Sequence, residues 1–326
     1  MSEKTIDRRA NALGTIKHLY TNYAYVFSFL LLLALMVVIN PGYLSYTSLS
    51  TLVMQSTLKG ILALGMTLVI IAGMIDLSVG SNIAITAGLG VLVLNATRSP
   101  LLMLLFCMLF SVLLCMFNGF FITKGRIAPF IVTLATTSIF RSVIVQLGQG
   151  GPFNVDREIL SSFRVIAAGS TLGIPNLAFV FIVLAVIMSV VSTQTKFGRY
   201  VYAVGSNETA ARLAGVSVNR VKMKIYMLLG LMVGITSFLF TSRLTSVTAA
   251  TAGMSYELDA IAAAVIGGTS FSGGRGRIAG TFFGALSLQL IESLLIAARI
   301  PPFLTGLFKG SIILVAVLLQ SKKGQK

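Results

Sequence analysis

The sequence predicts an all-α integral membrane protein with about ten transmembrane helices. Hydrophobic residues fill 56% of the 326 positions and charged residues only 10%, whereas a soluble domain carries about a quarter charged residues. The mean hydropathy is correspondingly high, at +0.93. The apolar residues also lie in long runs, separated by short segments that hold most of the Lys and Arg residues. A chain with this pattern is stable in lipid rather than in water.

The predicted helices follow from the length of the apolar runs, since about 20 residues are needed to cross the hydrocarbon core. The clearest candidate crossings are 25–39, 101–122, 127–147, 177–192, 225–240, 281–297 and 303–319. Three weaker candidates, which are short or rich in Gly, Ser and Thr, are 60–75, 78–94 and 258–269. If some of these are re-entrant, the count falls to eight or nine.

The distribution of charge predicts the orientation. With ten crossings, most of the 25 Lys and Arg residues fall on one side, which the positive-inside rule identifies as the cytoplasm. Both termini are then cytoplasmic, and Lys59 falls in an outside segment. The net charge of +16 does not indicate nucleic-acid binding, because the cations are spread between apolar runs rather than gathered in one basic patch.

We therefore expect one transmembrane domain, 25–320, between a cytoplasmic segment, 1–24, and a cytoplasmic tail, 321–326. Two connections are long: 148–175 outside and 193–224 inside. The inside connection contains a predicted short helix, which Asn207 caps and Gly215 ends. A long basic connection with its own helix is typical of a docking surface.

The sequence predicts no catalytic centre, no metal site and no cofactor held by this chain. It has one histidine, His18, and no phosphate-binding loop of the GxxxxGK[ST] type. Cys107 and Cys115 are eight positions apart on one predicted helix, about 12 Å, which is too far for a disulfide. Arg275 and Arg277 lie in a glycine-rich stretch that we interpret as a tight cytoplasmic turn.

Several charged residues lie in or beside predicted crossings, where ionisable groups are costly. Asp76 has three interpretations: a cap for the next helix together with Ser78, a proton or ion site, or a structural lock beside a pore. Glu257 and Asp259 begin a crossing, where capping competes with substrate contact. Glu292 and Lys309 lie on adjacent late crossings and predict an ion pair.

Hydroxyl groups recur along the crossing 127–147. Two interpretations are equally good: a polar stripe for a neutral polyol, and hydrogen bonding between helices. The stripe ends in an arginine that either lines the path or extends to the outer surface. The candidate path residues are Thr133, Thr136, Thr137, Ser138 and Arg141.

Four stretches resemble one known family. The run GMTLVIIAGMIDLSVGSNIAITAG at 65–88 resembles the signature of ribose-type permeases of the ATP-binding cassette importers, and it includes Gly73, Asp76, Ser78 and Gly80. GSNETAARLAGV at 205–216 resembles a second, highly specific motif. PFIVTLATTSIFR at 129–141 and GGRGRIAGTFFG at 273–284 match further blocks in the same order.

The resemblance implies a type II importer fold in the bacterial inner membrane. A second permease copy or paralogue forms the dimer, ATPase subunits hold ATP and Mg²⁺, and a periplasmic binding protein delivers a monosaccharide. The cytoplasmic connection then carries a coupling helix that contacts the ATPase. The residues that this resemblance assigns to coupling are Gly205, Asn207, Glu208, Ala211, Arg212 and Gly215.

The resemblance does not distinguish ribose from allose or another pentose or hexose. It also does not decide whether the two permeases are identical. A related importer for branched-chain amino acids or autoinducer-like molecules has the same architecture. An ion-coupled carrier is an alternative of another class, with Asp76 or Glu292 as the titrating group, but it has no need of a docking helix.

Overall fold

The computed structural model describes residues 23–171 and 173–301, with a few positions between 304 and 314. The predicted crossing 303–319, the segment 1–24 and the tail 321–326 lie largely or wholly outside these residues, as does Lys309. The described part is mainly helical. Its first five helices are α1 Tyr23–Ile39, α2 Tyr46–Ile71, α3 Val79–Thr97, α4 Pro100–Thr123 and α5 Pro129–Leu147.

Seven further helices follow in the described residues up to 297. They are α6 Arg157–Ala168, α7 Asn176–Gln194, α8 Lys196–Ser206, α9 Glu208–Leu213, α10 Val218–Leu244, α11 Tyr256–Ile266 and α12 Ile278–Ala297. Two small antiparallel pairs of β-strands join loops at one end of the bundle. Strand β1 (Pro152–Asn154) pairs with β4 (Ser246–Thr248), and β2 (Ser170–Thr171) pairs with β3 (Ile174–Pro175).

Within the described residues, seven helices are long and apolar enough to cross a membrane: α2, α3, α4, α5, α7, α10 and α12. Helix α1 is a shorter apolar helix. The weak candidate 258–269 corresponds to α11, whose 11 residues extend about 16 Å and cover only half of a bilayer core. The prediction of about ten crossings is therefore not confirmed by these residues.

Helix α2 was predicted too short. It begins at Tyr46, well before the expected start at residue 60. The first part of the helix was missed because Ser and Thr residues, Gln55 and Lys59 interrupt its apolar pattern. The placement of Lys59 in an outside segment was wrong, since it lies in the middle of α2. The polar residues are tolerated because α2 is an interior helix, in which 83% of an apolar 18-residue stretch is buried.

The helices form an inner and an outer group. Helices α2, α3 and α10 are largely buried, whereas most residues of α4, α5 and α7 are partly or fully exposed. Helix α10 approaches α4 closely through two glycines. A methyl group at Gly230 would lie 2.6 Å from the Val112 Cα, and one at Gly234 would lie 2.6 Å from the Met108 Cα. Small residues thus allow the two backbones to meet, as is common in membranes.

An interior ion triad joins three helices. The Lys59 ammonium on α2 lies 3.0 Å from the Asp259 carboxylate on α11 and 2.7 Å from the Glu292 carboxylate on α12. All three side chains are mostly buried. Glu292 was predicted to pair with Lys309, and the structure gives it Lys59 as a partner. The triad holds the short helix α11 against its two neighbours.

We predict that Lys59→Met destabilises the protein strongly, by about 3–5 kcal/mol, because two interior carboxylates lose their shared cation. The matched control is Arg98→Met. Arg98 also contacts two carboxylates, those of Asp156 and Glu158, but at the surface, where such contacts contribute about 0–1 kcal/mol. Thermal unfolding in detergent measures both, and equal losses would contradict the role given to the triad.

Candidate functional site

Helix α9 is short but well defined at its start. Asn207 has extended backbone angles, and its side-chain oxygen accepts a hydrogen bond from the Ala210 N–H at 2.9 Å. This is an N-cap, which satisfies one of the free amides of the first turn. Ala211 faces inward and is buried. The predicted cap and helix are confirmed.

The end of α9 is fixed by Gly215. Its φ of 83° is in the left-handed region, which glycine adopts without strain. The Gly215 N–H donates to the Arg212 carbonyl, and the Val216 N–H donates to the Ala211 carbonyl, each at 3.0 Å. This pair of bonds is a Schellman motif and gives a sharp helix end. The predicted terminator is therefore confirmed, and α9 has two defined ends.

Glu208 connects α9 to the next span. Its carboxylate lies 3.1 Å from the Arg212 guanidinium, one turn along α9, and 2.7 Å from the Lys222 ammonium in the first turns of α10. The hydrogen bond from Lys222 holds the pKa of the Glu208 carboxyl below its ordinary value. Because this pKa is lowered, the contact is fully formed at neutral pH and is lost only as the pH falls through the lowered value.

Gly205 connects the same region to two further elements. A methyl group there would overlap the Ile71 carbonyl at the end of α2 and lie 2.7 Å from the Gly274 nitrogen. Gly274, in the turn between α11 and α12, donates its N–H to that Ile71 carbonyl at 2.8 Å. The Tyr202 hydroxyl also donates to the Gly276 carbonyl at 2.8 Å. We call the contact of Gly205, Ile71 and Gly274 the backbone junction.

The outer surface of α9 combines an apolar group with positive charge. Leu213 is 85% exposed, the highest value for a large apolar side chain among the described residues, and Arg212 is exposed beside it. A groove of about 440 Å³ follows, lined by Arg212, Lys124 and Arg220 among others. Sequence reasoning missed Leu213 and Lys222. The signal for Leu213 was present, because it is an apolar residue on the side of α9 opposite the buried Ala211.

The segment between α2 and α3 is closed by Asp76. Its carboxylate is fully buried and accepts hydrogen bonds from the Ser78 N–H at 2.7 Å and the Ser78 hydroxyl at 2.6 Å. The Asn118 side-chain amide donates to the Ser78 hydroxyl oxygen at 2.8 Å. The interpretation of Asp76 and Ser78 as a cap for α3 is wrong, because neither side chain accepts a hydrogen bond from an amide of that helix and the Asp76 carboxylate accepts from Ser78 itself.

The two glycines of the same signature serve the backbone. Gly73 has a φ of 75° in the turn after α2. Gly80, in the first turn of α3, lies so close to the Gly253 carbonyl that a methyl group would overlap it.

The hydroxyl groups of α5 do not form one stripe. Those of Thr133 and Thr136 are buried and donate to carbonyls one turn back in their own helix. The Thr137 hydroxyl shares its proton between the Thr133 carbonyl of its own helix at 2.7 Å and the Leu77 carbonyl, next to Asp76, at 2.9 Å. Ser138 is exposed on the single chain. Hydrogen bonding to another element therefore applies to Thr137 alone of these residues, whereas Thr133 and Thr136 bond within α5.

Arg141 neither extends to the surface nor ends in open space. Its guanidinium donates to the Ala249 carbonyl at 2.8 Å and the Ala252 carbonyl at 2.7 Å. Both carbonyls belong to the non-helical segment before α11. Ser255, at the end of that segment, has a φ of 63°, which is rare outside glycine. Arg141 thus holds the segment from which α11 begins.

Two kinds of comparison place the chain among known proteins. A family profile described as the branched-chain amino acid transport system / permease component matches residues 48–317. The ribose import permease of Bacillus subtilis is 41% identical over 90% of both chains. The ribose import permease of Escherichia coli K12 is 35% identical over 90% of this chain and 92% of its own.

A more distant relative transports another sugar. The xylose transport system permease of Escherichia coli K12 is 31% identical over 86% of each chain. No solved structure gives a significant match. The match to the family profile and the extent of these similarities establish that the chain belongs to this family of transport permeases, among its ribose-type members.

Proposed function

We propose that this chain is the membrane-spanning subunit of an ATP-driven importer that takes up a monosaccharide, ribose, allose or a similar pentose or hexose. The relatives named for ribose and xylose support the substrate class. The observation that carries the mechanism is α9, a rigid helix with two fixed ends and an exposed Leu213 and Arg212. Such a surface suits a groove on a partner protein.

The arrangement of the complex follows from this role. The α9 side is cytoplasmic, with both termini on that side and about ten crossings in the transmembrane domain 25–320. Two permeases, identical or paralogous, form the dimer in the bacterial inner membrane. Each α9 contacts an ATPase subunit, which holds ATP and Mg²⁺ and carries out hydrolysis. A periplasmic sugar-binding protein docks on the opposite side and selects the sugar.

Motion of the ATPase reaches the membrane through the contacts of α9. Glu208 passes a displacement to α10 through Lys222, and the backbone junction passes it to α2 and to the turn between α11 and α12. Because α2, α11 and α12 are also joined by the Lys59 triad, they move as one group. Movement of this group relative to the outer helices would switch the side to which the path opens.

The path itself requires only weak polar contacts. A neutral sugar carries no charge, so its passage requires no charged binding site, and the binding protein supplies the selectivity. Ser138 is the α5 hydroxyl that is free to face such a path. Thr133, Thr136, Thr137 and Arg141 would act on the path through the packing of α5 and of the segment before α11.

We predict that Arg212→Glu lowers sugar-stimulated ATP hydrolysis and uptake together, by about tenfold or more, because it reverses a charge on the docking surface. The measurement uses vesicles that contain the permease, its ATPase and the binding protein loaded with each sugar in turn. A carboxylate at position 212 also repels Glu208, so Arg212→Gln is included, with a smaller expected loss.

The matched control is Arg199→Glu, the same charge reversal on an exposed residue of α8. It should leave both activities close to those of the wild type, and assembly of the complex is checked for every variant. The proposal is wrong if uptake continues without ATP and follows an imposed proton gradient.

The buried Asp76 allows a test against an ion-coupled carrier. Asp76→Asn keeps an oxygen that accepts from Ser78, so an importer should retain uptake within about threefold. Asp76→Ala leaves the Ser78 donors without an acceptor and should destabilise the fold, since each buried unsatisfied group costs about 1–3 kcal/mol. A carrier that titrates Asp76 would give a folded but inactive Asp76→Asn variant.

A further inference from the structure

The outer helices α4, α5 and α7 differ in the side chains that they expose on the single chain. The exposed residues of α4 are all apolar, and so are those of α7 up to Val190. Helix α5 instead exposes Ser138, Ser142 and Gln146 among its apolar residues. Lipid suits the surfaces of α4 and α7, but it offers no hydrogen-bond partners to polar side chains. The surroundings of α5 must therefore differ from those of α4 and α7.

The three exposed polar residues lie on one line along α5. They are four positions apart, so successive turns place them one above the other from the middle of the helix to its end. We call Ser138, Ser142 and Gln146 the α5 polar line. None of their side chains is hydrogen-bonded within the described part of the chain. In contrast, the hydroxyls of Thr133 and Thr136 are buried and bonded within α5. The α5 polar line is thus a surface with unused donors and acceptors.

A second polar surface adjoins the α5 polar line. Arg141, about one turn from Ser138, donates to two carbonyls of the segment 249–255, so this segment lies beside the middle of α5. Thr251 and Ser255 in the segment are exposed. Irregular backbone at membrane depth is tolerated where it lines a water-filled cavity, and this segment leads into the half-length helix α11. Two neighbouring elements therefore expose hydroxyl groups.

We propose that the α5 polar line, with the exposed hydroxyls of Thr251 and Ser255, lines the path of the imported sugar. This inference rests on the proposed function, which supplies a neutral polyol as the substrate. Hydroxyl and carboxamide groups both donate and accept hydrogen bonds, as the hydroxyls of a sugar do. Each of these turns of α5 thus offers a partner to a passing sugar. Ser142 and Gln146 extend the path from Ser138 to the end of α5.

The direct test measures how fast an introduced thiol reacts with a charged methanethiosulfonate, in lipid nanodiscs that contain the whole complex. Ser142→Cys should react about tenfold faster than Leu109→Cys, because the thiolate is the reactive form and lipid suppresses it. Leu109 is the matched control, since it is exposed in the middle of the apolar surface of α4. The wild type gives the background, because Cys107 and Cys115 are fully buried. Equally slow reaction of both variants would overturn the proposal.

Further measurements separate the sugar path from other surroundings of α5. Addition of ATP and the sugar-loaded binding protein should slow the reaction of Ser142→Cys, and an unchanged rate would mean a hydrated surface away from the route of the sugar. A disulfide between two Ser142→Cys chains, without reaction with the reagent, would mean a contact between permease copies and would also refute the path. If Ser142→Cys does not assemble, Gln146→Cys gives the same test one turn along.

The thiol reaction does not depend on transport, so this site and the proposed function can fail separately. Sugar uptake by the wild type is measured in sealed vesicles beside the labelling. Slow labelling with normal uptake would refute the α5 path and leave the importer in place, whereas absence of uptake would refute the importer itself.

Discussion

The main constraint on this structure is that backbone groups inside a membrane must find partners within the protein. The helices satisfy this by themselves, but three non-helical segments, 72–78, 249–255 and 267–277, do not. They are held by specific contacts. Gly274 donates to the Ile71 carbonyl, Thr137 to the Leu77 carbonyl, and Arg141 to two carbonyls before α11. Each interruption of a helix is therefore closed by a neighbouring element.

These contacts lie around the short helix α11. Irregular backbone at membrane depth is tolerated where protein encloses it or where it lines a path. Here it surrounds the half-length helix α11, which Arg141 holds at its start, the Lys59 triad along its length and the backbone junction near its end. The same junction touches α8, which leads into α9. The short helix α11 is thus connected to α9 through the backbone junction.

The sequence predicted the parts of the fold that depend on local pattern. Seven of the candidate crossings and the caps of α9 at Asn207 and Gly215 follow from apolar runs and capping preferences, and the structure contains them. It missed what depends on distant contacts. Lys59 looked like a loop residue because its carboxylates are about 200 and 230 positions away. The threonines of α5 were predicted to line a path because the sequence does not show which carbonyl a threonine hydroxyl will bond to.

The central claim is that the exposed end of α9 contacts the ATPase. The direct measurement replaces Leu213 by cysteine, attaches a photoreactive crosslinker to its thiol, and illuminates membranes that contain the whole complex. Both native cysteines, Cys107 and Cys115, are fully buried, so the added thiol is the accessible one within the described residues. The account predicts a crosslink to the ATPase subunit from Leu213→Cys and none from Glu158→Cys on α6. A crosslink from position 158 but none from position 213 would contradict it.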